Sequence, residues 1–166
     1  MYSVDITVDN VIDSLANFLL PFCGGSQIVR SQVNRVPMPG VPCVILTEVL
    51  QTPLETSIIN NDPSSDISKI KGPTRIDIQV DFYGPSAGDH SSAIKTVLKS
   101  GYAFGKFSDG IKPLYCSDAI QSPLVTGEHQ WLSRWTITVS LQYNPEVSVT
   151  QDFADELYAQ SEMADK

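Results

Sequence analysis

Gly84-Pro85-Ser86-Ala87-Gly88 has the G-x-S-x-G spacing of a nucleophile elbow, and it falls between a strand-like and a helix-like stretch. In an α/β-hydrolase such a serine attacks a carbonyl, and an acid and then a histidine follow it in the chain. Asp109 or Asp118 and then His129 occur in that order. The context argues against this chemistry. An elbow strand sits in the middle of a parallel sheet, covered on both faces, and reads as a nearly unbroken apolar run. Here Arg75, Asp77, Gln79 and Asp81 interrupt the run, and the stretch ahead is too short and too poor in strands to build such a sheet. Ser86 is better read as a helix cap. A serine esterase or hydrolase built on Ser86 is the alternative from the enzyme class.

The other reactive side chains carry less. Cys116 and His129 could form a thiol and base, but nothing in the sequence puts them within hydrogen-bond reach, and a free cysteine in a strand is more often packing. Three cysteines and two histidines show no ligand spacing of the C-x-x-C or H-x-x-x-H kind, so a metal site is not expected. Asp77 and Asp81 lie four apart on a strand, roughly 13 Å along it, too far to share a proton or a metal. Arg134 is placed to pair with one of them across a sheet. Trp131 and Trp135 share a face with apolar neighbours and read as core, since a base-stacking platform would need a basic groove around it.

These residues are positioned by a small set of elements. Val8, Val11, Ile12, Leu15, Phe18, Leu19 and Phe22 recur at helical spacing, with Thr7 as N-cap and Pro21 and Gly24-Gly25 as the stop. Gln27 to Arg35 reads as extended, and Cys43 to Thr52 as a largely buried strand. Pro53 to Pro73, centred on Asn60-Asn61-Asp62-Pro63, reads as a long loop between two strands. In Arg75 to Tyr83, Ile76, Ile78, Val80 and Phe82 take one face, and Arg75, Asp77, Gln79 and Asp81 the other. A second amphipathic helix follows over Ser86 to Ser100, with Ser86 and Asp89 at its start. Ile111 to Cys116 is a short strand whose Pro113 demands an edge or a bulge. The last strand spans Trp131 to Tyr143, with Ser133 out of pattern. Thr150 to Lys166 is acidic and reads either as a short helix anchored by Phe153 and Leu157 or, equally, as a frayed end or a docking arm. Two helices and four or five mostly antiparallel strands give a single α+β domain over 1–166.

Composition narrows the partners. A net charge of −8 with scattered basic residues argues against a partner held by its phosphates. No stretch reaches the roughly 18 apolar residues of a membrane span, and the start lacks a secretory pattern, so a cytoplasmic chain with reduced thiols is expected.

Three segments, in this order, resemble the bacteriophage tail terminator (neck terminator, tail-completion) family: Ile28-Val-Arg-Ser-Gln-Val-Asn-Arg-Val-Pro-Met-Pro39, Ile78-Gln-Val-Asp-Phe-Tyr-Gly84 with its helix, and Arg134-Trp135 through Leu141-Gln-Tyr-Asn-Pro145. The likeness runs from about Val8 to Leu157. It implies a compact α+β subunit that associates side by side into a ring, commonly a hexamer, stacked on the last tail-tube ring and facing the head-completion proteins of the neck. DNA would pass through the lumen without specific binding. Such a protein has no catalytic residues and no cofactor, is assembled in the host cytoplasm and ends in the virion. A different head-tail connector component is a further alternative. A head-to-tail ring needs two unlike patches on each subunit. The candidates are Arg30, Asn34 and Arg35 in the first segment, Arg75, Asp77, Gln79, Asp81 and Arg134 on the polar strand faces, and the stretch from Pro53 to Pro73.

Overall fold

The structure is a computed structural model and describes residues 2–32, 37–62, 64–125 and 131–152. Among these residues two α-helices and twelve strands form an α+β fold with sheets of six, four and two strands. In chain order they are β1 (Tyr2–Val4), α1 (Val8–Leu19), β2 (Gln27–Arg30), β3 (Cys43–Pro53), β4 (Ile58–Asp62), β5 (Ile67–Lys71), β6 (Thr74–Tyr83), α2 (Ala87–Leu98), β7 (Ile111–Cys116), β8 (Ile120–Gln121), β9 (Leu124–Val125), β10 (Trp131–Leu132), β11 (Arg134–Tyr143) and β12 (Glu146–Thr150).

The large sheet has the order β2-β3-β6-β11-β7, with β8 also paired to β11. Among the described residues only β2 and β3 run parallel. The two alternating strands are its centre: β6 and β11 pair over their whole length, Ile76 opposite Leu141, Ile78 opposite Val139 and Val80 opposite Ile137. Every one of these six side chains is fully buried. Both helices pack into the same core. α1 contributes Val11, Ile12, Leu15, Phe18 and Leu19, and α2 contributes Ala87, Ile94 and Leu98. Phe18 stacks on Phe107 with ring centroids 4.9 Å apart. At the head of α1, the Thr7 hydroxyl accepts from the Asn10 amide while the Asn10 side chain accepts from the Thr7 amide, a reciprocal cap that satisfies two otherwise orphaned donors.

β7 is both the edge and the bulge that Pro113 demanded. Tyr115 stands opposite Ser140 and Pro113 opposite Leu141, so Leu114 has no partner across the ladder.

Four readings need correction. The stretch from Pro53 to Pro73 is a β-hairpin: β4 and β5 pair from Ile58 with Lys71 to Asp62 with Ile67. They join β12 and β1 in a small antiparallel sheet of order β1-β12-β5-β4. Asn, Asp and Ser are poor strand formers by themselves, and here the pairing of β5 with β12 supplies what propensity lacks. β3 is buried only in its first half, through Cys43, Val44 and Leu46, whereas Val49 and Leu50 are exposed beyond a register shift at Glu48. Trp131 is 75% exposed rather than core. Ser133 ends the period: its carbonyl accepts from Gly84 N–H, and Trp131 instead pairs with Val125 in a separate two-stranded ladder. Ser86 occupies the N-cap position of α2, but its side chain makes no capping hydrogen bond. The acidic stretch after Asp152 lies outside the described residues.

Candidate functional site

Because strand side chains alternate, the residues between the core positions of β6 and β11 all emerge on the far side of the large sheet, away from the helices. Arg75, Asp77, Gln79, Asp81 and Arg134 therefore share one face, together with Thr136, Thr138, Ser140 and Gln142. They form a linked network. Asp81, only 3% exposed, accepts from Arg134 Nε at 3.1 Å and Nη2 at 3.0 Å, from the Thr136 hydroxyl at 2.5 Å and from Gln79 Nε2 at 2.8 Å. Asp77 accepts from the Ser140 hydroxyl at 2.6 Å and from Arg75 at 3.0 Å. Arg134 also lies 5.8 Å from the Tyr83 ring centroid. Arg75 Nε is enclosed and has no acceptor among the described residues. Apolar side chains flank this polar centre: Leu50 opposite Asp77 on β3, Ile120 opposite Thr136 on β8 and Tyr115 opposite Ser140 on β7, all exposed.

Arg30 is not part of that face. It pairs with Asp9 of α1 and, at 3.7 Å, with Glu48, so it ties the first helix to the sheet edge. Asn34 and Arg35 lie outside the described residues.

The second surface is the arm formed by the small sheet, whose β4–β5 hairpin sequence reading took for a loop. Its register sorts the two faces. Ile59, Ile70, Val147 and Val4 stand in one row across all four strands, with Tyr2 beside Val149 in a second. Tyr2 and Ile59 are strongly exposed. The opposite face is charged: Lys69 and Lys71 reach Glu146 at 3.4 and 3.0 Å. These contacts, the Lys71 hydrogen bond foremost, hold the Glu146 carboxyl below its ordinary 4.5. At the hairpin turn the Ser64 and Ser65 hydroxyls do the same to Asp62. The signal available in sequence was Ile58-Ile59, an apolar pair in a polar stretch that the core does not need.

The strand ahead of Ser86 does not fit the rival chemistry. Ser86 is exposed, and β6 ahead of it runs antiparallel to both neighbours, so no parallel elbow strand exists. Gly84 supplies the turn at φ +121°, and a side chain there would meet Val41 and Pro42 at 3.2 Å. His129 lies outside the described residues. Cys116 is buried, and burial pushes its thiol up to about 11, as it does for Cys23, away from the thiolate a nucleophile requires. Among the described residues no group of three or more His, Cys, Asp or Glu side chains is arranged to hold a metal, and no helix is long and apolar enough to cross a membrane.

The family model described as "phage neck terminator protein" matches residues 9–163, and that family is one of structural proteins of the phage neck and tail. The chain belongs to the phage neck terminator family. No characterised protein matches it closely enough to show kinship.

Proposed function

We propose that this chain caps the phage tail tube and joins it to the neck, acting without catalysis by closing a ring of its own copies. The observation that carries the reading is the arm. It is a four-stranded sheet whose strands contact chiefly one another, and it keeps Tyr2, Val4 and Ile59 on an uncovered apolar face. A chain that folded only to stand alone would gain nothing from that face, since such surface is stabilised only by removal from water. The far side of the large sheet, polar at the centre and flanked by Leu50, Tyr115 and Ile120, is unlike the arm. Two unlike patches are what a head-to-tail ring requires. The ring would sit on the last tube ring and face the head-completion proteins, with DNA passing through its lumen.

The test uses Val4→Asp with Ile59→Asp. Both side chains are exposed, so the effect on folding stability should stay near 0.5 kcal/mol each or less. Mixed with purified tail tubes and viewed by negative-stain microscopy, the wild-type chain should decorate one tube end only. The double variant should leave tube ends bare while keeping the wild-type melting curve. Decoration of both ends or of the tube walls, or capping by the variant, would refute the reading.

A further inference from the structure

Four of the eleven basic residues of this acidic chain fall in one patch where α2 ends against β7. Lys95 and Lys99 project from the end of α2, Lys106 lies 5.0 Å from the Tyr102 ring centroid, and Lys112 donates to the Phe104 carbonyl at 3.3 Å. Lys99 also stands 6.0 Å from the Tyr115 ring centroid. Interleaved with these cations are four uncovered apolar side chains: Tyr102, Phe104, Leu114 and Tyr115, between 47% and 61% exposed. A shallow groove lined by Leu98, Gly101, Phe104, Pro113 and Tyr115 runs through the patch. The one acid paired there among the described residues is Asp118, at 3.5 Å from Lys95 and 3.6 Å from Lys99, and it is itself 83% exposed, so it neutralises the patch weakly.

We infer that this patch receives the acidic C-terminal stretch, residues 152–166, of a second copy of the chain. The stretch interleaves acids and apolar side chains as the patch interleaves cations and rings. It carries Asp152, Asp155, Glu156, Glu162 and Asp165 against one lysine, with Phe153, Leu157 and Tyr158 among them. The described chain leads up to this stretch along the arm, outward from the arm's root. Glu146, where β12 begins, is held at the arm's root by Asp5, while Thr150 lies opposite Ile67, and Gln151 N–H donates to Asp66 beside the hairpin turn. Four residues of strand carry the chain about 13 Å outward from that root. A nucleic-acid backbone would satisfy the lysines but leave the four apolar side chains facing phosphate, whereas Phe153, Leu157 and Tyr158 give them partners.

The inference rests on the assembly reading only in making the occupant a second copy. Its test is a zero-length carbodiimide cross-link on an equal mixture of ordinary and 15N-labelled full-length chain. The expected products join Lys99, Lys106 or Lys112 to Asp155 or Glu156 in mixed-isotope pairs, and they disappear in Lys99→Glu/Lys106→Glu/Lys112→Glu while its melting curve stays that of the wild type. Pairs of one isotope only would show a stretch folded back on its own subunit and overturn the inference. So would the absence of these links, or duplex DNA retained by the wild type and released by the triple variant. Rings formed without such links would remove this contact alone. Mixed links in a chain that never closes rings would keep the contact and remove the ring.

Discussion

Asp81 shows how a polar sheet face can be as specific as a core. Its carboxylate is covered, and four donors from Arg134, Thr136 and Gln79 converge on it. Burying a charge is unfavourable unless its hydrogen-bonding capacity is met, and here it is met from the neighbouring strand as well as its own. Asp81→Ala should therefore destabilise the fold by about 2–3 kcal/mol, because hydrogen bonds to a charged group are lost and Arg134 keeps an unmatched guanidinium. Urea unfolding of Asp81→Ala, Arg134→Ala and the double variant checks this as a thermodynamic cycle. A coupling of less than about 0.5 kcal/mol would mean that solvent screens the pair and that this face is only wet surface. The alternation of Arg75 to Tyr83 made the pairing readable from sequence, since opposite parity puts Asp81 and Arg134 on the same side. Sequence could not say which aspartate Arg134 would choose, because the antiparallel register that sets Thr136 opposite Asp81 is fixed only on folding.

The elements divide by where their ordering energy comes from. α1, β6, α2 and β11 carry their own periodicity: β6 and α2 lie within a residue or two of the patterns in Arg75 to Tyr83 and Ser86 to Ser100, whereas α1 ends three residues before Phe22 and β11 begins three residues after Trp131. β4 carries almost none, and β1 and β12 alternate over too few residues to be read alone. They are strands because partners align them, which is why Asn60, Asn61 and Asp62 read as a turn. Trp131 failed for the same kind of reason: alternation alone cannot register that Ser133 binds Gly84 and ends the period. An element assembled by pairing should respond to its ion pairs. The folded Glu146 carboxyl is depressed below 4.5, so its contribution is fully present above that value and fades as the pH falls through the lower folded one. Asp62 follows the same sign from 3.8. Between pH 6 and pH 3 the melting temperature should thus fall more steeply for the wild type than for Glu146→Gln/Asp62→Asn, since the other carboxylates are common to both. Parallel curves would show that these contacts add nothing to the arm.

At the scale of the whole molecule, one body and one arm share a chain but not a core. Among the described residues the body closes twenty-three buried side chains into one cluster around α1, α2 and the large sheet, and none of the small sheet's residues belongs to that cluster. Few buried apolar contacts and exposed backbone pairs are the conditions for local opening, so the arm should open without the body. Amide hydrogen exchange followed by mass spectrometry on the free chain should find peptides from β6 and β11 exchanging only by global unfolding. Peptides from β4, β5 and β12 should exchange much faster, and urea should accelerate them little. An arm that opens alone is a loss for an isolated subunit and a resource for an assembling one, because a neighbour that covers Tyr2, Val4 and Ile59 stabilises the sheet while it binds. Adding tail tubes should therefore slow exchange in the arm more than anywhere in the body. Equal protection of arm and body in the free chain would mean that the small sheet is anchored already, and that assembly has no ordering left to do there.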